Sequence, residues 1–275
     1  MNGNRRSLLY YSRIVSNRLS KLAGWVLHTS WPPIPCPDCH EGVIRPEGKL
    51  VTLPDPESDM LLARIAAGVE GDSELTGSCS GTFRCGDPDC GRGVLISGDW
   101  SYDIDFEPNG AGTRWADYIR VRYSTPALPI FIPPAKTPDK VTTAINAASE
   151  LLWINPGAAA NHLRQAIEEL LTSKRVKRTE LTKKNKQRRL SAHERIGIYR
   201  DTNPAQKDIA DALEAVKWIG NSGSHEAALN VADVLEGAEL LEHALKELYD
   251  PTERQRRARV KSINTSKRIP RTKKK

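Results

Sequence analysis

Beyond about residue 138 the apolar side chains fall three and four positions apart, the spacing of one buried helical face. Val141, Ile145, Ala148 and Leu152 predict a first helix. Ala159, Leu163, Ala166 and Leu170 predict a second after a break at Asn155-Pro156-Gly157, with Pro156 in its opening turn, where a missing N–H costs nothing. A third pattern resumes around Leu190 with Ile196 and Tyr199. Ile209, Leu213, Val216 and Gly220 predict a helix over 208–219. Val234, Ala238, Leu241, Leu245 and Leu248 predict a last one from about Val231 to Tyr249, capped by Asn230 and stopped at Asp250-Pro251. Four or five such helices make a bundle. No internal repeat on the scale of about 20 to 50 residues points to a solenoid.

The pattern upstream is different. Between about residues 31 and 125, short apolar pieces such as Val94 to Ile96, Tyr102 to Phe106 and Tyr118 to Tyr123 alternate with Gly, Pro and Asp and predict short antiparallel strands. The acidic, glycine-containing run Asp55 to Glu74 reads as an exposed loop among them. Residues 124–134 hold four prolines in eleven positions, which disfavours both helix and central strand and marks a domain boundary. At the start of the chain Leu8, Tyr11, Val15, Leu19, Leu22 and Val26 repeat at helical spacing, with Arg5, Arg6, Arg13, Arg18 and Lys21 largely opposite. That predicts a basic amphipathic helix over 1–30 docked on the rest of the protein rather than on a membrane surface. The expected order is this helix, a β-rich domain over 31–125, a helical bundle over 126–250 and a basic disordered tail over 251–275, an α+β chain.

Cys36-Pro37-Asp38-Cys39 and Cys85-Gly86-Asp87-Pro88-Asp89-Cys90 form two close pairs with glycine nearby at Gly42, Gly86 and Gly91. Four thiolates from two tight turns suit a tetrahedral zinc ion, so Cys36, Cys39, Cys85 and Cys90 are expected as metal ligands of a zinc-ribbon-like domain. A closed four-cysteine site leaves no position for water, so the zinc is structural. Cys79 is the odd thiol, and His40 stands close enough in sequence to replace a neighbouring ligand.

Charge is distributed unevenly. The formal net charge of +7 comes from 41 Lys and Arg against 34 Asp and Glu. Residues 251–275 carry 11 basic side chains against Glu253 alone, and residues 174–189 carry 9 against Glu180, so the rest of the chain is net acidic. Such segments suit contact with a phosphate backbone, and Lys183, Lys184, Arg188, Arg189, Arg256 and Arg257 are the expected nucleic-acid contacts. With no apolar run near the ~18 residues of a spanning helix and no signal-peptide core, the expectation is a cytoplasmic protein.

The stretch Lys217-Trp218-Ile219-Gly220-Asn221-Ser222-Gly223-Ser224-His225 places an amide, two glycines and an imidazole where a helix is expected to end. A turn there brings Asn221 near His225, a group that changes charge close to neutral pH. Together with Asn155 to Leu171, this stretch resembles the bacterial family known as domain of unknown function 4145, itself similar to the HEPN superfamily of helical bundles. The resemblance covers about residues 126–250. It implies a HEPN-like bundle, RNA more than DNA as ligand, a homodimer with a shared cleft, a protein partner in a toxin or antiphage system, and metal-independent RNA cleavage. In that superfamily four to six residues stand between an arginine and the catalytic histidine that follows it. His225 fits the histidine, while Trp218, Ile219 and Gly220 occupy the arginine positions and Lys217 lies one residue further back. The implied catalytic set is His225, Asn221, Lys217 and, from the neighbouring helix, Arg164. The alternative class is a non-catalytic nucleic-acid or protein-binding module acting as an accessory or regulatory subunit, in which His225 only fixes the turn.

Overall fold

A computed structural model describes residues 19–68, 74–106, 112–222 and 229–267. The N-terminal part is a six-stranded antiparallel sheet of β1 (Trp25–Leu27), β2 (Ile34–Pro35), β3 (Val43–Pro54), β4 (Leu75–Cys85), β5 (Gly93–Phe106) and β6 (Thr113–Thr125), in the order β1-β6-β5-β4-β3-β2. Helix α1 (Pro56–Ala66) lies between β3 and β4. The four central strands are far longer than the short pieces expected from the sequence. Gly77, Gly81 and Gly98 lie within the ladders rather than ending them, and the register slips by one residue at Ser97/Gly98. Residues 56–66, expected as loop, form α1 because the Asp55 carboxylate accepts from the Ser58 N–H at 2.9 Å and Pro56 occupies the first turn.

The C-terminal part is helical: α2 (Asp139–Leu151), α3 (Pro156–Ser173), α4 (Ala192–Thr202), α5 (Lys207–Ser222), α6 (Val231–Tyr249) and α7 (Pro251–Ser266). The apolar faces read from the sequence are buried: Val141, Ile145 and Ala148 of α2, Leu163 and Ala166 of α3, Leu213 of α5, and Val234, Ala238, Leu241 and Leu245 of α6. Asn155 caps α3 through Ala158 N–H, and Asn230 and Asp233 form a reciprocal capping box on α6. Helix α3 ends with Arg175 in the left-handed region at φ 61°, the Val176 N–H returning to Leu171 O and the Arg175 N–H to Thr172 O. The fully buried Arg195 completes that end by donating to Glu168 O, Thr172 Oγ1 and Val176 O. Its charge thus ties the last turns of the helix to the chain that leaves it.

Four expectations change. Residues 1–18 of the expected basic helix lie outside the described residues, and 20–30 form two short 3₁₀ turns around β1. Leu19 and Leu22 join the core, so this segment docks on the protein. The basic stretch 174–189 is ordered as a hairpin, β7 (Thr179–Leu181) with β8 (Gln187–Arg189), pinned by acids around it. The helix expected over 208–219 continues through Gly220 to Ser222, and the expected tail forms α7 up to Ser266. Asp250 and Pro251 break the chain and then start that helix, Asp250 accepting from Thr252 N–H at 2.8 Å. Residues 268–275 lie outside the described residues.

Sheet and helices share one continuous apolar core. It runs from Ile44, Phe83 and Ile96 on the sheet through Leu128, Ile130 and Phe131 to the faces of α2, α3, α5 and α6. The proline-rich segment read as a domain boundary thus contributes Leu128, Ile130 and Phe131 to that core. No helix among the described residues is long and apolar enough to cross a membrane.

Candidate functional site

Two clusters carry chemistry. The first lies at the β2–β3 turn and the β4–β5 turn, which the sheet places side by side by pairing Ile44 with Cys85. The Sγ atoms of Cys36, Cys39, Cys85 and Cys90 all fall within 4.8 Å of one another. Cys36 and Cys90 are 3.7 Å apart, as are Cys39 and Cys85. A tetrahedral ion with metal–sulfur bonds of about 2.3 Å separates its sulfurs by about 3.8 Å, so the four thiols fit one. Backbone N–H groups point at the sulfurs, Asp38 N to Cys36 at 3.4 Å, Gly42 N to Cys39 at 3.3 Å and Asp87 N to Cys85 at 3.5 Å. Burial and the neighbouring sulfurs push the Cys85 thiol up to about 12, a cost that a bound cation removes. A β-carbon at Gly42 would stand 2.2 Å from Cys85 Sγ, so the pocket closes around sulfur only because that side chain is missing. His40 is not part of the set: its backbone is left-handed at φ 60°, and its Nδ1 lies 3.2 Å from Cys36 O. Cys79 is far along β4, buried, its thiol directed at Asp99 O at 3.7 Å and pushed up to about 11 by burial.

The second cluster lies where α3 crosses α5. Gly220 sits at the crossing, where a β-carbon would come 3.3 Å from Ala160 O and 3.5 Å from Arg164 Cβ. The glycine serves close helix approach, which is why the helix does not end there. One turn before it, Lys217 is 3% exposed, its Nζ 3.2 Å from the centroid of the Trp218 ring. Burial lowers the pKa of this ammonium and the Arg164 charge adds to the effect, with Glu214 opposing both. Arg164 also lines an open polar pocket of about 360 Å³ with Asn161, Gln165, Glu168, Glu169, Arg178 and Arg189. Asn221 lies on the last turn of α5, one helical turn from Lys217. The structure thus brings Arg164 and Lys217 together with the backbone of Asn221, while His225 lies outside the described residues.

The expected nucleic-acid contacts divide. Lys183 and Lys184 stand exposed at the turn of the β7–β8 hairpin. Arg188 is bound to Glu180 and, at 2.7 Å, to Glu194, and Arg189 to Glu168 at 3.0 Å, so these two hold the hairpin against α3 and α4. Arg256 is exposed on α7, and Arg257 follows it on the same helix. Beside Lys217 lies a group that sequence spacing did not single out. His193 Nδ1 is 2.9 Å from Glu214 Oε1, and Arg200 donates to Glu214 Oε2 at 2.5 Å and pairs with Asp211 at 3.0 Å. No local pattern links α4 to α5 in this way; only the packing of the two helices does.

Fold and sites together define a mixed α/β protein, a strand-rich part with a four-thiol cluster joined to a helical part with a polar helix crossing. Residues 146–266, which span most of that helical part, match the family described as "Domain of unknown function (DUF4145)". Neither a curated protein nor a solved structure matches the chain.

Proposed function

We propose that this protein binds nucleic acid, RNA in preference to DNA, with a HEPN-like bundle carrying the contact surface and a structural zinc ion closing the ribbon-like turns of the sheet. The observation that supports it most is α7. Among its described side chains every one except Ile263 is exposed, Arg256, Arg259 and Lys261 among them, so the helix adds almost nothing to the core while projecting positive charge. With Lys183, Lys184 and Lys186 at the hairpin turn, it offers the sequence-independent cationic surface that phosphate backbones attract. Removing residues 251–275 from the chain should flatten the dependence of log K on log salt by about 0.7 for each single-strand phosphate that those residues neutralise. The melting temperature should hold, because Leu248, the last buried apolar residue of α6, precedes the cut. An unchanged salt slope would reduce α7 to a solubilising appendage.

Cleavage is a second reading, and the meeting of Arg164 and Lys217 at the α3–α5 crossing favours it. Two cations beside Asn221, in the chain just before His225, are a set that can neutralise a phosphorane while an imidazole moves the proton of a ribose 2′-hydroxyl. His225→Ala should then abolish RNA cleavage with little change in melting temperature, and Lys217→Ala should reduce it by a smaller factor. Cleavage surviving in the His225→Ala protein would place the activity elsewhere, and no cleavage in the wild type would leave the bundle a binding module. A HEPN-like dimer with a shared cleft belongs to this second reading.

A further inference from the structure

We infer that Trp218, walled on one side by His193, is a stacking platform for an unpaired base of single-stranded nucleic acid. Trp218 is 54% exposed on α5, unusual for the side chain with the largest apolar surface. Its ring is not idle: the Lys217 ammonium lies 3.2 Å from the centroid, and Lys217 itself is 3% exposed, so the indole roofs a buried cation. A cation against one face draws density from the π-system and favours an electron-rich ring on the other. The His193 ring stands 6.3 Å from the indole at 49°, too far and too tilted to cover it, and so borders the platform. That imidazole is fixed although its side chain is 60% exposed, because Glu214 holds Nδ1 and is itself held by Arg200, which also grips Asp211.

The surroundings select the ligand. His193 and Lys217 border the Trp218 ring, with Glu214 and Arg200 behind the imidazole, so charged and polar groups stand along its edge. Glu214 and Arg164 both act on the buried Lys217 ammonium, so two cations and one carboxylate lie beside the ring. A planar ring with an anion attached is what this combination accepts, and a nucleotide of a single strand is that ligand. Towards the hairpin Arg164 also lines the polar pocket, where Arg178 and Arg189 are paired with Glu169 and Glu168.

This inference rests on the nucleic-acid reading and is tested separately from it. The intact protein is titrated with a fluorescently labelled single-stranded oligonucleotide and with an abasic strand of the same length and charge. Trp218→Ala should weaken binding of the normal strand by about 5- to 150-fold, the range for one stacked base, and leave the abasic strand unaffected. Trp218→Phe should recover most of the loss. Should the alanine protein fail to fold, the wild type's own preference for the normal over the abasic strand, kept by Trp218→Phe, carries the same information. Equal affinity of Trp218→Ala and wild type for the normal strand, or equal losses on both strands, overturns the stacking platform. A wild type that binds both strands alike, with a steep salt dependence, overturns it too while leaving the nucleic-acid reading intact. Binding to neither strand removes both.

Discussion

Two glycines show what single residues decide. Gly42 donates its N–H to Cys39 Sγ at 3.3 Å and leaves vacant the space a β-carbon would take from Cys85 Sγ, 2.2 Å away, and from Asp87 Cβ, 2.9 Å away. Its backbone could be built from another residue; its missing side chain could not. If the four thiols hold one zinc ion per chain, Gly42→Ala is expected to lower the metal content of the purified protein together with the melting temperature, and Cys36→Ser and Cys85→Ser are expected to do the same. Cys79→Ser should leave metal content unchanged, because that thiol lies outside the cluster. A Cys36→Ser/Cys85→Ser protein that retains a full equivalent of zinc would remove the site. The cysteine spacing announced this cluster, since two short Cys-to-Cys loops each present two sulfurs to one point. The glycine's true part was hidden, because the residue that would clash lies 43 positions away in the chain. Gly220, the second, leaves room for the Ala160 carbonyl, and its partner too is remote in sequence.

At the scale of elements, helix α4 is tied to the hairpin through its first turn. Ser191 Oγ accepts from the Glu194 N–H at 3.2 Å, and the Glu194 carboxylate accepts from the Ser191 N–H and hydroxyl, each at 2.8 Å, a capping box. Arg188 adds a bond from β8, and the Arg188 guanidinium first, then the Ser191 donors, draw the Glu194 carboxyl down to about 2. A carboxyl depressed in the folded state contributes stability that is fully present above its unfolded value of about 4.3 and is lost as pH falls towards 2. An NMR titration of Glu194 should place its midpoint near 2 in the wild type. In Arg188→Ala the midpoint should rise yet stay below about 4.3, because Ser191 still donates. No movement would mean the ion pair does not form in solution. The serine-to-glutamate spacing was open to reading from the sequence, but the reach of a hairpin arginine to this helix was not. Helix α7 shows the opposite case, where a basic, proline-started segment without an apolar face gave no period to read, although Asp250 and Pro251 are good helix starters.

For the whole molecule, the apolar periods from Val141 to Leu248 determined the helical half, since a stripe at every third and fourth position can bury itself in only one way. The caps at Asn155 and Asn230 and the pairing of Cys36 and Cys39 with Cys85 and Cys90 were equally local, each written within a few residues or in a repeated spacing. Tertiary structure alone decided the rest. The proline-rich segment read as a domain boundary by composition, and Leu128, Ile130 and Phe131 within it are fully buried because the sheet's inner face needs covering and the helices supply the other side. Gly220 looked like a helix stop and proved to be a gap cut for Ala160 and Arg164 of another helix. The tie of His193 to Glu214 and Arg200, and the seating of Lys217 beneath Trp218, depend on how α3, α4 and α5 pack. A residue's periodicity reports whether it faces a core, and it carries no information about which distant side chain faces it there.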